Sequence, residues 1–232
     1  MGEIRIFPVT GIGEIHAGDD LAGLIHAAIA EAGERLADGD VVVVTHKVVS
    51  KQEGQVVQIA DEASYRQLVE SEAATIVRRR GDLVITQTKH GFICANAAVD
   101  RSNVADGYAI LLPKDPDSSA HRLRTLMERL SGARIGVVIT DTFGRPWRRG
   151  LVDVAIGLSG VRAIDDLRGT VDTHGNELNV TEVAIVDEIA AAADLVMGKA
   201  TGIPAAVVRG LNIPGTGRAS ELVRPAEEDM FR

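Results

Sequence analysis

Residues 137–150 read VVITDTFGRPWRRG. A run of buried-strand character ends in Asp141 and Thr142. Gly144, Pro146, the chain's one tryptophan and three arginines follow at once. A short β-branched run of this kind, polar on neither face, reads as a strand covered on both sides. This reading decides the fold, because such strands belong to α/β architecture. It also raises a question of chemistry. An acid and a hydroxyl at a strand end are oxygen donors for a hard cation, and clustered guanidinium groups gather polyanions. Packing alone asks for neither.

Outward from this stretch, further apolar runs give strands at 3–9, 40–51, 108–113, 152–160 and 204–210. Residues 82–100 read as two strands with a turn near His90–Gly91. Helical periodicity and end signals give helices at 18–40, 64–80, 118–132 and 179–199. Asp19 or Asp20 serves as N-cap of the first, and Gly132 stops the third. The expected fold class is mixed α/β, as one domain over 1–232 with no linker or internal repeat.

Composition narrows the function. Of the 232 residues 45% are hydrophobic and only 3% aromatic, so Val, Ile, Leu and Ala must build the core. The net charge of −8 argues against broad nucleic-acid binding, though a local basic pocket remains compatible with it. One cysteine, Cys94, allows no internal disulfide and suits a reducing compartment. There is no signal-peptide pattern, and no apolar run approaches the ~20 residues of a membrane span. The expectation is a cytoplasmic enzyme with no membrane or nucleic-acid partner.

Four loops after apolar strands carry the chemistry. In PVTGIGEI (8–15), Gly11 and Gly13 would let backbone N–H groups approach an anion, although two glycines in a turn are weak grounds. In THKVVSK (45–51), Lys47 and Lys51 stand four apart and could hold phosphate oxygens; two solvated lysines explain them as well. ICANAAVDRSNV (93–104) ends a strand in Asp100, followed by Ser102 and Asn103. Asp141 and Thr142 make the fourth. Each aspartate alone is as readily a turn cap. Two of them, beside a lysine loop and arginine loop, suit a metal–phosphate site. Arg145, Arg148 and Arg149 would neutralise a polyanion or steady a transferred phosphoryl group. The six histidines show no metal-type spacing, and no serine or cysteine nucleophile signature is present.

These loops, with LLPKDPDSSA, VDVAIGLSGV, HGNELNVTEVAIVDEIAAAADLVMGK and GIPAAVVRGL, resemble the coenzyme F420-0:L-glutamate ligase family, the γ-glutamyl ligases of coenzyme F420 biosynthesis. The likeness runs in order from about residue 7 to 212. It implies an unusual α/β fold of two intertwined subdomains, not a Rossmann sheet, in an interwoven homodimer. It implies GTP as substrate with Mg²⁺ or Mn²⁺, and K⁺ as a further ion. The substrate's terminal carboxylate would be activated, most simply as an acyl phosphate, for attack by L-glutamate. By resemblance Asp100 and Asp141 would bind a first metal and Thr142 a second. Ile12, Gly13, Glu14, Ile15, Lys51, Asn103 and the segment Met197–Pro204, with Gly198 and Lys199, would contact nucleotide; Lys47 and His46 are placed with them. Arg145 and Arg148 are the expected catalytic cations. Two positions depart from the pattern. His46 stands where the family carries Ser, and Lys199 where it carries Gln or Glu, so the second metal lacks an oxygen ligand there. Some relatives continue into a flavin-binding domain; this chain is expected to be the ligase part alone. Two other readings follow from the same residues: an amide ligase with a different acceptor or amino acid, and a silent GTP-binding protein. Glu14 or Glu53 could deprotonate the incoming amine.

Overall fold

The computed structural model describes residues 2–231. In chain order the elements are β1 (Arg5–Val9), α1 (Leu21–Glu31), β2 (Val41–Thr45), α2 (His46–Gln52), β3 (Val56–Gln58), α3 (Glu62–Glu72), β4 (Ala73–Arg80), β5 (Leu83–Thr88) and β6 (Ile93–Ala95). They continue with β7 (Tyr108–Ile110), α4 (Pro116–Ser131), β8 (Gly136–Arg145), β9 (Arg148–Ser159), β10 (Asp165–Asp166), β11 (Glu182–Val183), α5 (Ile185–Met197) and β12 (Ala205–Arg209).

The main sheet has the order β1-β12-β2-β8-β9. Only β2 and β8 run parallel; the other pairs are antiparallel. Val41–Val44 are all buried, so both faces of β2 are covered. Helix α5 crosses the sheet and touches all its strands, while α4 lies on β8 and β9 with α1 beside it. The chain then builds a second, smaller body from β3 to β7, with sheets β3-β7 and β4-β5-β6. Its separate core holds Tyr65, Val69, Ala97, Val99 and Ala109. The molecule is mixed α/β and is not a Rossmann fold. Among the described residues no helix is long and apolar enough to cross a membrane.

Local chemistry explains the helix ends. Asp20 Oδ1 accepts from Gly23 N–H at 3.1 Å and caps α1. Asp115 caps α4, Pro116 opens it, and Gly132 closes it at φ 74°.

Four expectations are corrected. The strand expected over 40–51 stops at Thr45, and residues 46–52 form α2. The second pair of valines is carried on a helix because α2 buries His46, Val49 and Ser50 together. The helix expected over 64–80 ends at Glu72, and residues 73–80, which carry the β-branched run Thr75–Ile76–Val77, continue as β4 against β5. Helix α1 stops at Glu31, with Gly33 at φ 75° just beyond it. Helix α5 begins at Ile185, since Glu182–Val183 pair with β10 instead.

The opening stretch also differs from a loop. Strand β8 runs on through Asp141 and Thr142 to Arg145, turns at Pro146–Trp147, and returns as β9. Trp147 takes a left-handed φ of 63° at that turn.

Candidate active site

A cavity of about 580 Å³ is lined by residues of both bodies, at the end of β2 and along α2. Five separate segments wall it. The turn after β1 supplies Ile12, Gly13, Glu14 and Ile15. Helix α2 supplies Lys47 and Lys51, which its four-residue spacing puts on one face. Asn103 comes from the segment after the small body's core, and Thr142 and Asp153 from the β8–β9 hairpin. Gly198 and Lys199 close the wall after α5. Helix α2, where the sequence suggests a continuing strand, is thus what presents both lysines to one space.

Behind the wall sits a charged cluster. Lys47 Nζ lies 2.9 Å from Asp100 Oδ2. Ser102 N–H and Oγ both donate to the same carboxylate, at 2.7 and 2.9 Å. Burial pushes the Asp100 carboxyl up, and the Lys47 charge with these donors more than offsets it, leaving Asp100 below the usual range. Asp141 follows the same pattern. Burial opposes its charge, while His46, Lys47 and its own Thr142 N–H hold it low.

His46 is wholly buried and does not line the cavity. Its Nε2 is 3.2 Å from Asp141 Oδ1, close enough for attraction but too far off line for a good hydrogen bond. Its Nδ1 is 3.4 Å from Ser50 Oγ. His46 is therefore placed against Asp141 and outside the cavity lining. Lys51 pairs with Glu14 across the cavity rim, and Glu53 is engaged by Ser119 and Arg122. Arg145 and Arg148 lie at the exposed hairpin end, outside the cavity wall, with Arg145 donating to Arg149 O at 3.0 Å.

Two acids were not singled out from sequence. Asp153 is buried on β9, and Asp194 sits on α5; both line the cavity. Burial and the neighbouring Asp153 raise the Asp194 carboxyl, and Lys199 opposes them. Lys199, where the family pattern expects an oxygen ligand, thus stands near the Asp194 carboxylate. The signal was available: an acid inside the apolar run VDVAIGL, and another inside the alanine-rich face of a core helix.

Among the described residues the side-chain oxygen donors in the cavity wall are the carboxylates of Glu14, Asp153 and Asp194, the hydroxyls of Thr45 and Thr142 and the Asn103 amide, with no thiolate or imidazole, while Asp100 and Asp141 stand outside the lining. That set fits a hard cation such as Mg²⁺ or Mn²⁺. Among the described residues no three His, Cys, Asp or Glu side chains gather into a metal cage. A cation here would complete its shell with water and phosphate oxygens, as Mg²⁺ commonly does.

Residues 11–210 match the family described as F420-0:Gamma-glutamyl ligase. The chain is 40% identical to the coenzyme F420:L-glutamate ligase of Methanothermobacter thermautotrophicus, over 99% of each chain. It is 43% identical to that of Archaeoglobus fulgidus, over 99% of this chain and 96% of the relative. For Methanocaldococcus jannaschii the identity is 44%, over 84% and 85%. Fold, cavity and kinship together define an enzyme of the ligase class, one that joins two substrates by a new bond. The matched segment includes every residue that lines the cavity. The chain belongs to the F420-0:gamma-glutamyl ligase family.

Proposed function

We propose that this enzyme adds L-glutamate to coenzyme F420-0 or its dehydro form through γ-glutamyl amide bonds, with GTP as energy donor. The observation that carries the reading is the cavity itself. It sets two lysines, a glycine turn and a set of oxygen donors around one space large enough for a nucleotide.

The γ-phosphoryl group of GTP passes to a carboxylate oxygen of the acceptor, giving an acyl phosphate and GDP. The glutamate amine then attacks the acyl carbon, phosphate leaves, and one proton is released. Lys47 and Lys51 gather the anions, and the Ile12–Ile15 turn brings backbone N–H groups close to them. Asn103, Gly198 and Lys199 border the nucleotide. Asp100, Asp141 and Thr142 would hold Mg²⁺ or Mn²⁺, which when bound screens the charge of the transferred phosphoryl group. K⁺ is a further ion of the reading.

We take the active form to be a cytoplasmic homodimer. Trp147 is 86% exposed and its ring lies 5.9 Å from that of Phe231, itself 66% exposed. Leu151, on the same hairpin, and Met230, beside Phe231 in sequence, are exposed as well. A second copy covering it would bring the hairpin arginines, Arg145 and Arg148, toward anions from outside the cavity wall.

The test is a product assay. Protein, coenzyme F420-0, L-glutamate, GTP and Mn²⁺ are combined and the product mass followed. A gain of one or more glutamyl units, with equal GDP, is expected. GTP bound without consumption, whatever amino acid is offered, would overturn the reading.

A further inference from the structure

Asp153 makes a contact pattern that the roles given so far leave unused. Thr142 Oγ1 donates to its Oδ1 at 2.7 Å, and Thr140 Oγ1 donates to its Oδ2 at 2.9 Å. Thr140 is fully buried and Asp153 nearly so, at 4% exposed. The three residues are fixed by the sheet. Thr142 and Asp153 are direct cross-strand partners on β8 and β9, and Thr140 lies two residues before Thr142, on the same face of its strand.

A carboxylate accepts hydrogen bonds and does not donate them. The Thr142 hydroxyl has one proton, and Asp153 takes it. The oxygen's remaining lone pairs are then free toward the cavity that both residues line. A hydroxyl in this state cannot donate to a phosphate oxygen. It can accept a hydrogen bond or ligate a cation. Thr140 matters because it anchors the second carboxylate oxygen and stops Asp153 from rotating away.

We infer that Asp153, held by Thr140, is the positioning residue that presents Thr142 to the cavity as an oxygen ligand for a cation. It acts through Thr142. The inference rests on the metal–nucleotide reading of the cavity, and its test reads metal binding directly.

Mn²⁺ is titrated into the full-length protein with GTP present, and binding is followed by the electron paramagnetic resonance signal of free and bound Mn²⁺. Four proteins are compared: wild type, Thr142→Val, Asp153→Asn, and the double variant. In Asp153→Asn the amide can accept from only one threonine and must donate to the other, so the Thr142 hydroxyl is no longer committed. Mn²⁺ affinity is expected to fall about tenfold or more, the usual effect of losing a residue that orients a metal ligand. The decisive result is the cycle. On the Thr142→Val background, Asp153→Asn should cause no further loss. Additive losses would overturn the inference, because Asp153 would then act on the ion by itself. Unchanged Mn²⁺ affinity in Asp153→Asn would overturn it too. Should Asp153→Asn fail to fold, Thr140→Val replaces it in the same cycle, where additive losses or an unchanged affinity again overturn the inference. Wild-type protein that binds no Mn²⁺ overturns both this inference and the metal reading. Asp153-dependent Mn²⁺ binding in a protein that forms no glutamyl product removes only the proposed substrates.

Discussion

Lys47 Nζ lies 2.9 Å from Asp100 Oδ2, although the two residues come from different bodies of the molecule. Lys47 rides on α2, which continues directly from β2 of the main sheet, and Asp100 lies between Val99 and Ala109 of the small body's core, where it bridges Ile110. Replacing Lys47 should therefore change Asp100 before it changes anything else. Its charge and hydrogen bond, with the Ser102 donors, outweigh burial and keep the Asp100 carboxyl below its ordinary range. A carboxyl lowered on folding contributes stability in full above its unfolded value, and that contribution is lost as pH falls through the folded value. Lys47→Met removes the offset and leaves the burial. Protonation of that raised carboxyl favours the folded state, so the variant's loss of stability relative to wild type, read by urea unfolding followed by circular dichroism, should be largest near neutral pH and shrink as pH falls. A loss that does not change with pH would show that the pair does not tie the bodies together.

Asp141→Asn separates chemistry from fold. The amide keeps the shape and can still accept from Thr142 N–H, but it loses the charge that faces His46 and Lys47. Glutamyl transfer should fall by about 100-fold or more, as for loss of a charge-stabilising group in a phosphoryl-transfer site. Near-wild-type circular dichroism with this loss is the expected pair of results. Normal turnover would remove Asp141 from the site.

Cys94 should be nearly inert while the protein is folded. Burial, and then the negative charge of Asp141, push its thiol from 9.0 to about 12. The thiolate is the reactive form, so alkylation at pH 8 should run about a thousandfold slower than for an ordinary thiol. Iodoacetamide labelling with mass detection reads this directly. One equivalent should react promptly in guanidinium chloride and almost none in buffer. Fast labelling of the native protein would contradict the burial of this thiol.

Gly157→Ala and Gly13→Ala should behave oppositely. A methyl group at Gly157 would meet the Pro116 backbone carbonyl at 2.5 Å, so β9 and α4 would have to part. Overpacking of this kind costs about 1–3 kcal/mol, or roughly 3–10 °C in Tm for a chain of this size. At Gly13 a methyl group meets nothing within 4 Å and φ is unremarkable. That variant should melt like wild type. Because Gly13 lines the cavity, GTP affinity measured by calorimetry should be the quantity that weakens.

Most of the main sheet was legible from its β-branched runs, and the capped helices from their Asp, Pro and Gly signals. What failed was the place where one element hands over to the next. Val48 and Val49 continue the composition of β2, yet they belong to a helix, because tertiary burial of His46 and Ser50 outweighs local propensity. Residues 64–80 mix a helical charge pattern with a β-branched tail, and only pairing with β5 divides them. The oxygen donors Asp100, Asp141 and Thr142 could be singled out as strand-end polar groups. Their cross-chain partners could not. Contact between Lys47 and Asp100 depends on how the two bodies dock, and no local pattern encodes that. Asp153 was overlooked because a lone acid in an apolar strand has no spacing signature; its meaning comes from the two threonines that the antiparallel register sets opposite it.

The strand order of the main sheet has a consequence for synthesis. Strand β1 does not pair with its neighbours in sequence; Arg5 pairs with Arg209 and Val9 with Ala205. Among the described residues, strand β12 is also the only bridge between β1 and β2. On the ribosome, residues 5–9 therefore have no sheet partner until residues 205–209 have emerged. The turn at 12–15 cannot be set against α2 before then. Pairings so distant along the chain close slowly. The cavity is thus among the last parts to form. A nascent chain of this enzyme spends nearly its whole synthesis with an apolar edge uncovered, and it is there, rather than in the finished molecule, that chaperones would find it.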